Sequence, residues 1–167
     1  MTNENSEPQH HPDGESGPIL VAVDFAPDSK AALLWACDYA ACVDAAILVL
    51  HVIHEPADAP GYYRKDEEDL LRPMDDVAVD MLDQFIEKVA TAHPGLEVVE
   101  GAEKILVKGI PATRILEIAE TKGARLIVMG SRGRTGLPHL MLGSKAERVV
   151  QMSPIPVTIV KADKNDE

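Results

Sequence analysis

Cysteine is nearly absent: Cys37 and Cys42 are the only two in 167 residues, which excludes the disulfide framework of a small secreted scaffold. Long hydrophobic runs are missing as well. None approaches the roughly 20 residues needed to cross a bilayer, so no membrane insertion is expected. The N-terminus has neither a basic region nor an apolar stretch of signal-peptide type, and the expectation is a cytoplasmic protein. Positive charge is in short supply, with 16 Lys and Arg against 28 Asp and Glu and a net charge of -12. Such a surface repels nucleic-acid backbones and anionic membranes, so no nucleic-acid partner is expected.

What remains is an ordinary globular composition, 46% hydrophobic and 26% charged. A chain of this length buries about two-thirds of its unfolded surface, enough for one core without metal or disulfide staples. The charge is unevenly spread. Residues 1–17 carry Glu4, Glu7, Asp13 and Glu15 with no Lys or Arg, and they lack apolar periodicity. They cannot repay their ordering entropy and are read as a disordered acidic extension, followed by one domain over 18–161 and a polar tail, 162–167. Between 121 and 150 the sign reverses: Lys122, Arg125, Arg132, Arg134, Lys145 and Arg148 face only Glu147. An island of this kind suits an anion.

Strand and helix signals alternate along the domain. Ile19 to Val23 is a short apolar run, as in a strand covered on both faces. Pro27, Asp28 and Ser29 supply turn and N-cap chemistry for a helix with Ala32, Leu33, Ala36, Cys37, Ala40 and Val43 inward. A second strand starts at Ala46. Pro73 opens a helix whose stripe is Met74, Val77, Met81, Phe85 and Val89, ended by His93, Pro94 and Gly95. Glu97 to Val99 and Lys104 to Lys108 flank Gly101 as one bulged strand or two short ones, the paired strand being placed at Ile105 to Lys108. Pro111 begins a helix bearing Ile115, Leu116, Ile118 and Ala119. Arg125 to Met129 is a strand, Ser144 to Met152 a helix, and Pro156 starts the last strand. This order predicts an α/β fold, a single doubly wound five-stranded parallel sheet with helices on both faces. Ligands of such sheets bind beyond the strands' carboxyl ends, where the strand order reverses.

The loop after the fourth strand reads Gly130-x2-Gly133-x9-Gly143-Ser144. At ordinary residue frequencies that spacing starts by chance at on the order of one position in twenty thousand. It runs from the end of an apolar strand to the start of a helix, where unpaired amides and the helix dipole favour a phosphate. Gly130 and Gly133 let backbone approach a ligand, Ser144 adds a hydroxyl, and Arg132, Arg134 or Lys145 supplies charge. A Walker A loop is excluded because Ser144 and Lys145 stand in the wrong order, and a dinucleotide fingerprint because the spacing and the strand are wrong. A glycine-rich lid with solvated arginines is the competing reading.

Together the glycine loop, ILVAVDFAPDSKAALLWA, LHVI, VKGIPATRILEIA and SPIPVTIV resemble the universal stress protein (UspA-like) family in its ATP-binding subclass, over about residues 18–161. The resemblance implies an adenine nucleotide, ATP, with Mg²⁺ as its possible companion, lying across the carboxyl edge of an adenine nucleotide alpha hydrolase-like sheet. Asp24 then meets the ribose or adenine side, with Ala22, Val23 and Phe25 around it, and Val52 is the apolar adenine contact. Met129 and Gly130 follow, Arg132 and Gly133 start the phosphate loop, and Gly143, Ser144 and Lys145 form the phosphate-binding helix start. It also implies a homodimer through the last strand, Val157 to Val160, and a protein partner for a stress-response switch.

Other features weigh less. His51 and His54 with the two cysteines match no zinc pattern, and five helical residues set the cysteines about 140° apart, so no protein-bound metal is expected. His139 reads as a solvated loop residue, Asp66 to Asp69 as a solvated face, and Trp35 as a packing residue or a fluorescence reporter. The glycine loop offers donors and cations without a general base, which favours binding over turnover and at most slow ATP hydrolysis. The alternatives are an adaptor for a transporter or enzyme with little nucleotide dependence, and a slow ATPase or phosphotransferase.

Overall fold

In the computed structural model, residues 17–55, 61–64, 68, 72–96, 99, 101–133 and 142–163 are described. They form β1 (Ile19–Ala22), α1 (Pro27–Val43), β2 (Ile47–Ile53), α2 (Met74–Ala92), β3 (Glu103–Lys108), α3 (Pro111–Thr121), β4 (Leu126–Gly130), α4 (Ser144–Met152) and β5 (Val157–Val160). The five strands are parallel, in the order β3-β2-β1-β4-β5. Ile19 sits level with Ile47 on one side and Leu126 on the other, so β1 is the central strand. The chain winds outward through β2 and β3, then crosses back to β4. The order therefore reverses between β1 and β4, and a crevice opens beyond their carboxyl ends.

Alternation of side chains divides the core into two layers. Ile19, Val21, Val23, Val49 and Val128 face α1 and α2, where Ala32, Leu33, Ala36, Cys37, Ala40, Leu82 and Val89 meet them. Leu20, Ala22, Leu48, Leu50, Val52, Ile127 and Met129 face α3 and α4, packing on Ala112, Ile115, Ala119, Ala146 and Val149. With both faces covered, β1 and β2 are buried along their whole length, the physical reason for their unbroken apolar runs.

Five sequence expectations shift. β3 begins at Glu103 rather than Ile105. Its charged positions are held at the sheet edge by ion pairs, Glu103 with Lys122 at 2.6 Å, Lys104 with Asp83 at 2.6 Å and Lys108 with Asp75 at 2.7 Å. Val99 lies in the core under α1 and α2 instead of in the sheet. β4 runs one residue later than Arg125 to Met129, ending on Gly130. In α2 the fully buried residues are Val77, Ala78, Leu82 and Val89, while Met81 and Phe85 lie at the margin. Small Ala78 lets the helix approach the sheet closely, an effect that a hydrophobic stripe does not rank. At α1, Ala26 is the N-cap, Pro27 starts the helix, and neither Asp28 nor Ser29 caps it. The acidic residues before Gly17, with Asp66, Glu67, Asp69, Leu70, Glu97, Val98, Arg134 and His139, lie outside the described residues. No helix among the described residues is long and apolar enough to cross a membrane.

Candidate functional site

Beyond β1 the chain turns sharply. Phe25 adopts φ 64°, the left-handed region that costs an aromatic residue about 1–3 kcal/mol. The turn brings Asp24 back onto the start of α1: its Oδ1 accepts from Ser29 Oγ at 2.6 Å and from the Ala26 amide at 3.2 Å. Ser29 Oγ in turn accepts from the Asp24 amide at 3.0 Å. The Phe25 ring stacks on His51, with centroids 4.3 Å apart, and meets Phe85 at 5.6 Å.

His51 anchors this corner. Its Nδ1 lies 2.8 Å from the Val23 carbonyl, which can only accept, so Nδ1 carries the proton and Nε2 accepts from the Tyr63 hydroxyl at 2.9 Å. Burial pushes the His51 pKa down to about 4 and that of Tyr63 up to about 12, and both groups are neutral near pH 7. The Tyr63 oxygen also accepts the His54 amide at 3.3 Å, and Tyr62 donates to the Asp24 carbonyl at 2.7 Å. The turn at 61–64 is thereby bolted to the two residues that follow β1.

Across the crevice, β4 leads into Gly130, Ser131, Arg132 and Gly133. A Cβ on Gly130 would stand 2.8 Å from Asp28 Cβ and 2.9 Å from its carbonyl carbon, so β4 passes α1 closer than any side chain allows. A Cβ on Gly133 would meet Asp24 Oδ2 at 2.7 Å. Both glycines thus serve close approach within the protein. Buried Asp28 accepts from Ser131 Oγ at 2.6 Å and from the Arg132 amide at 3.0 Å, and its carboxylate pairs with the Arg132 guanidinium at 3.3 Å. Burial alone would raise the Asp28 pKa. The bonds from Ser131, Arg132 and the Ala162 amide, with the charge of Arg132, outweigh it and hold the carboxyl below its usual range.

Gly143 is the N-cap of α4, its amide donating to the Ser131 carbonyl at 2.8 Å. No side chain among the described residues caps this helix, and the first intrahelical bond runs from Glu147 to the Gly143 carbonyl, so the amides of Ser144, Lys145 and Ala146 have no intrahelical acceptor. The positive end of the helix dipole coincides with them. Beside them Lys145 Nζ donates to His54 Nε2 at 2.8 Å, the imidazole being held in that tautomer by Nδ1–H donating to the Val52 carbonyl at 3.0 Å. Lys145 has no carboxylate partner among the described residues.

These parts enclose a cleft of about 650 Å³, within the range of small-molecule and cofactor sites. Ala22, Val23 and Asp24 line it from the end of β1 and the turn after it, Val52 from β2, Met129, Gly130, Arg132 and Gly133 from the end of β4 and the loop after it, and Gly143, Ser144 and Lys145 from the start of α4. Of the described residues that the family resemblance assigned to the nucleotide, Phe25 alone is not in the lining; its ring is turned into the core against His51. The lining adds Ser29, Leu50, His51, His54, Pro111, Ile115, Ser131 and Ala146, which the sequence did not separate from core or loop. Leu50, Val52, Ile115 and Met129 give the lining its apolar part, and the α4 amides with Lys145 its cationic part. Among the described residues no three His, Cys, Asp or Glu side chains gather as metal ligands. Cys37 is buried, its thiol pushed up to about 11 by burial, and Cys42 is exposed.

The model of the "Universal stress protein family" matches residues 16–161. The match to universal stress protein MJ0531 of Methanocaldococcus jannaschii is local, 49% identical over 61 residues that span 36% of this chain and 36% of that one. Universal stress protein YxiE of Bacillus subtilis is 35% identical over 150 residues, 86% of this chain and 97% of its own. Among solved structures, MJ0577 of M. jannaschii aligns with 30% identity and a TM-score of 0.64, covering 90% of this chain and 99% of that one. A universal stress protein from Archaeoglobus fulgidus, solved in complex with dAMP, shares the fold at 23% identity and a TM-score of 0.55, covering 87% and 98%.

Proposed function

The chain belongs to the universal stress protein family, and from that premise we propose that it is a cytoplasmic ATP-binding regulator of the stress response. One observation carries the reading: the first-turn amides of α4, from Ser144, Lys145 and Ala146, and the Lys145 ammonium line the same cleft as apolar Leu50, Val52, Ile115 and Met129. An apolar wall suits a flat base, and a helix N-terminus beside a lysine suits a polyphosphate. Asp24 lines the same cleft, and a carboxylate there can accept from ribose hydroxyls. A nucleotide also accounts for Arg132 and Lys145, the members of the basic island that line the cleft among the described residues. Mg²⁺ would arrive with the phosphates, which hold it together with water more than any protein cage does.

Turnover is not part of this proposal beyond slow hydrolysis. A switch needs only that nucleotide bind two states with different affinity. The sheet edges suggest where such a switch is read. β3 is blunted by Glu103, Lys104 and Lys108, whereas β5 presents Val157, Thr158, Ile159 and Val160 with no charge, the edge a second copy of the chain would pair with.

Isothermal titration of ATP into the wild-type chain, Gly133→Ala and Gly143→Val tests the site. Saturable binding that weakens in both variants supports it. Equal affinity in all three would remove the glycine loop from the mechanism, and no binding to the wild type would end the reading.

A further inference from the structure

Asp28 is a buried carboxylate, 3% exposed, that nucleotide binding as described above leaves unused. An acid in the first turn of a helix ordinarily faces its own amides; this one makes no cap bond and reaches across to other parts of the chain. Its Oδ2 accepts from Ser131 Oγ at 2.6 Å, from the Arg132 amide at 3.0 Å and from Arg132 Nε at 3.4 Å. Its Oδ1 is shared between Arg132 Nη2 at 3.3 Å and the amide of Ala162 at 3.1 Å, just past β5. Ser131 ties the same junction to β5, its amide donating to the Val160 carbonyl at 2.7 Å. One carboxylate thus joins the start of the phosphate loop to the carboxyl end of the edge strand.

The bonds are unequal. Those from the Ser131 hydroxyl and from the amides have ordinary lengths, whereas both guanidinium contacts lie at the long end of the hydrogen-bond range. Arg132 lines the cleft, and its side chain is 29% exposed where that of Asp28 is 4%. A polyphosphate carries several charges against the single charge of a carboxylate, and its oxygens match the guanidinium fork. Resting on the nucleotide reading of this cleft, we propose that Arg132 passes its guanidinium from Asp28 to a phosphate of the bound nucleotide, and that Asp28 relays the exchange to the carboxyl end of β5. Asp28 is not stranded by it, because Ser131 Oγ and two amides remain as donors. Oδ1 keeps only the Ala162 amide, and that bond tightens. Occupation of the cleft is then written into the backbone beside the edge strand. A ligand without phosphates leaves Arg132 where it is.

NMR of the full-length ¹⁵N-labelled chain, following Arg132 Nε–H and the Ala162 amide during titration with adenosine and with ATP, tests the exchange. Both ligands should shift Met129, and ATP alone should shift Arg132 Nε–H and Ala162 together, slowing exchange of the Ala162 amide several-fold. In Asp28→Asn, ATP should still move Arg132 Nε–H while Ala162 no longer responds. A wild-type Ala162 that ignores ATP while Arg132 Nε–H moves, or that answers adenosine equally, would overturn the relay, even if the variant does not fold. An unchanged Ala162 response in a folded Asp28→Asn would overturn it as well. If neither ligand shifts Met129, Gly130 or Ser144, the nucleotide reading itself fails and the exchange with it.

Discussion

Single residues at the crevice set two measurable quantities. His51 is neutral in the fold with a pKa near 4, against an ordinary value of 6.5, because burial disfavours its charged form. Between those values the unfolded chain binds a proton that the folded one does not, so stability is full above about pH 6.5 and falls as pH drops toward 4. The loss is about 3 kcal/mol from this group. Urea unfolding across pH 4–7 should show that slope, and His51→Gln, which can still donate to Val23 and accept from Tyr63, should flatten it. An unaltered slope in the variant would assign it elsewhere. Asp28 contributes only at the acid end of this window, where the unfolded carboxyl, with an ordinary value of 3.8, begins to take up a proton that the folded one still refuses. Lys145 sets the second quantity. Among the described residues it rests on the His54 ring nitrogen rather than on a carboxylate, so turning it to a phosphate gives up no ion pair there. Lys145→Ala should weaken ATP about 10- to 100-fold by titration calorimetry, the range of a lost charge-assisted bond, and leave adenosine unchanged.

Among the elements, the glycine loop divides into positions with different duties. Gly130→Ala drives a Cβ into the backbone of α1 and should cost about 1–3 kcal/mol of stability in denaturant titrations. Gly133→Ala meets only the Asp24 carboxylate, and should weaken ATP while shifting the unfolding midpoint little. At Gly143 the nearest atom to an added Cβ is the Ser131 carbonyl at 3.4 Å, an ordinary contact, so alanine should be nearly neutral for folding. The loop's place between β4 and α4 was legible in the sequence because three glycines and a serine punctuate it at an unusual spacing. β1, β2 and β4 were legible because a doubly covered strand is apolar throughout. The start of β3 was not, since Glu103 and Lys104 look like loop residues until α2 and α3 supply their partners. Leu50 and Ile115 cannot be told from core by periodicity, because the cleft wall and the core share one face of the sheet. Asp28 gave no local sign of its role, its partners Ser131 and Arg132 lying more than a hundred residues along the chain.

At the scale of the whole molecule, one end of the sheet holds the cleft and one edge is open. Thr158 is half-buried on the β5 edge, so Thr158→Lys places a charge there, with circular dichroism confirming that the variant folds. Sedimentation velocity should report a dimer for the wild type and a monomer for the variant. A wild-type monomer, or a variant that still pairs, would move the contact away from β5. Dimer or not, the proposed function stands or falls on what occupies the crevice between β1 and β4. Determining the structure after soaking with ATP tests this most directly. The expected result is a polyphosphate on the amides of Ser144 to Ala146 with the base against Val52 and Met129; ATP bound elsewhere, or a crevice that stays closed to it at saturating concentration, would contradict the nucleotide reading.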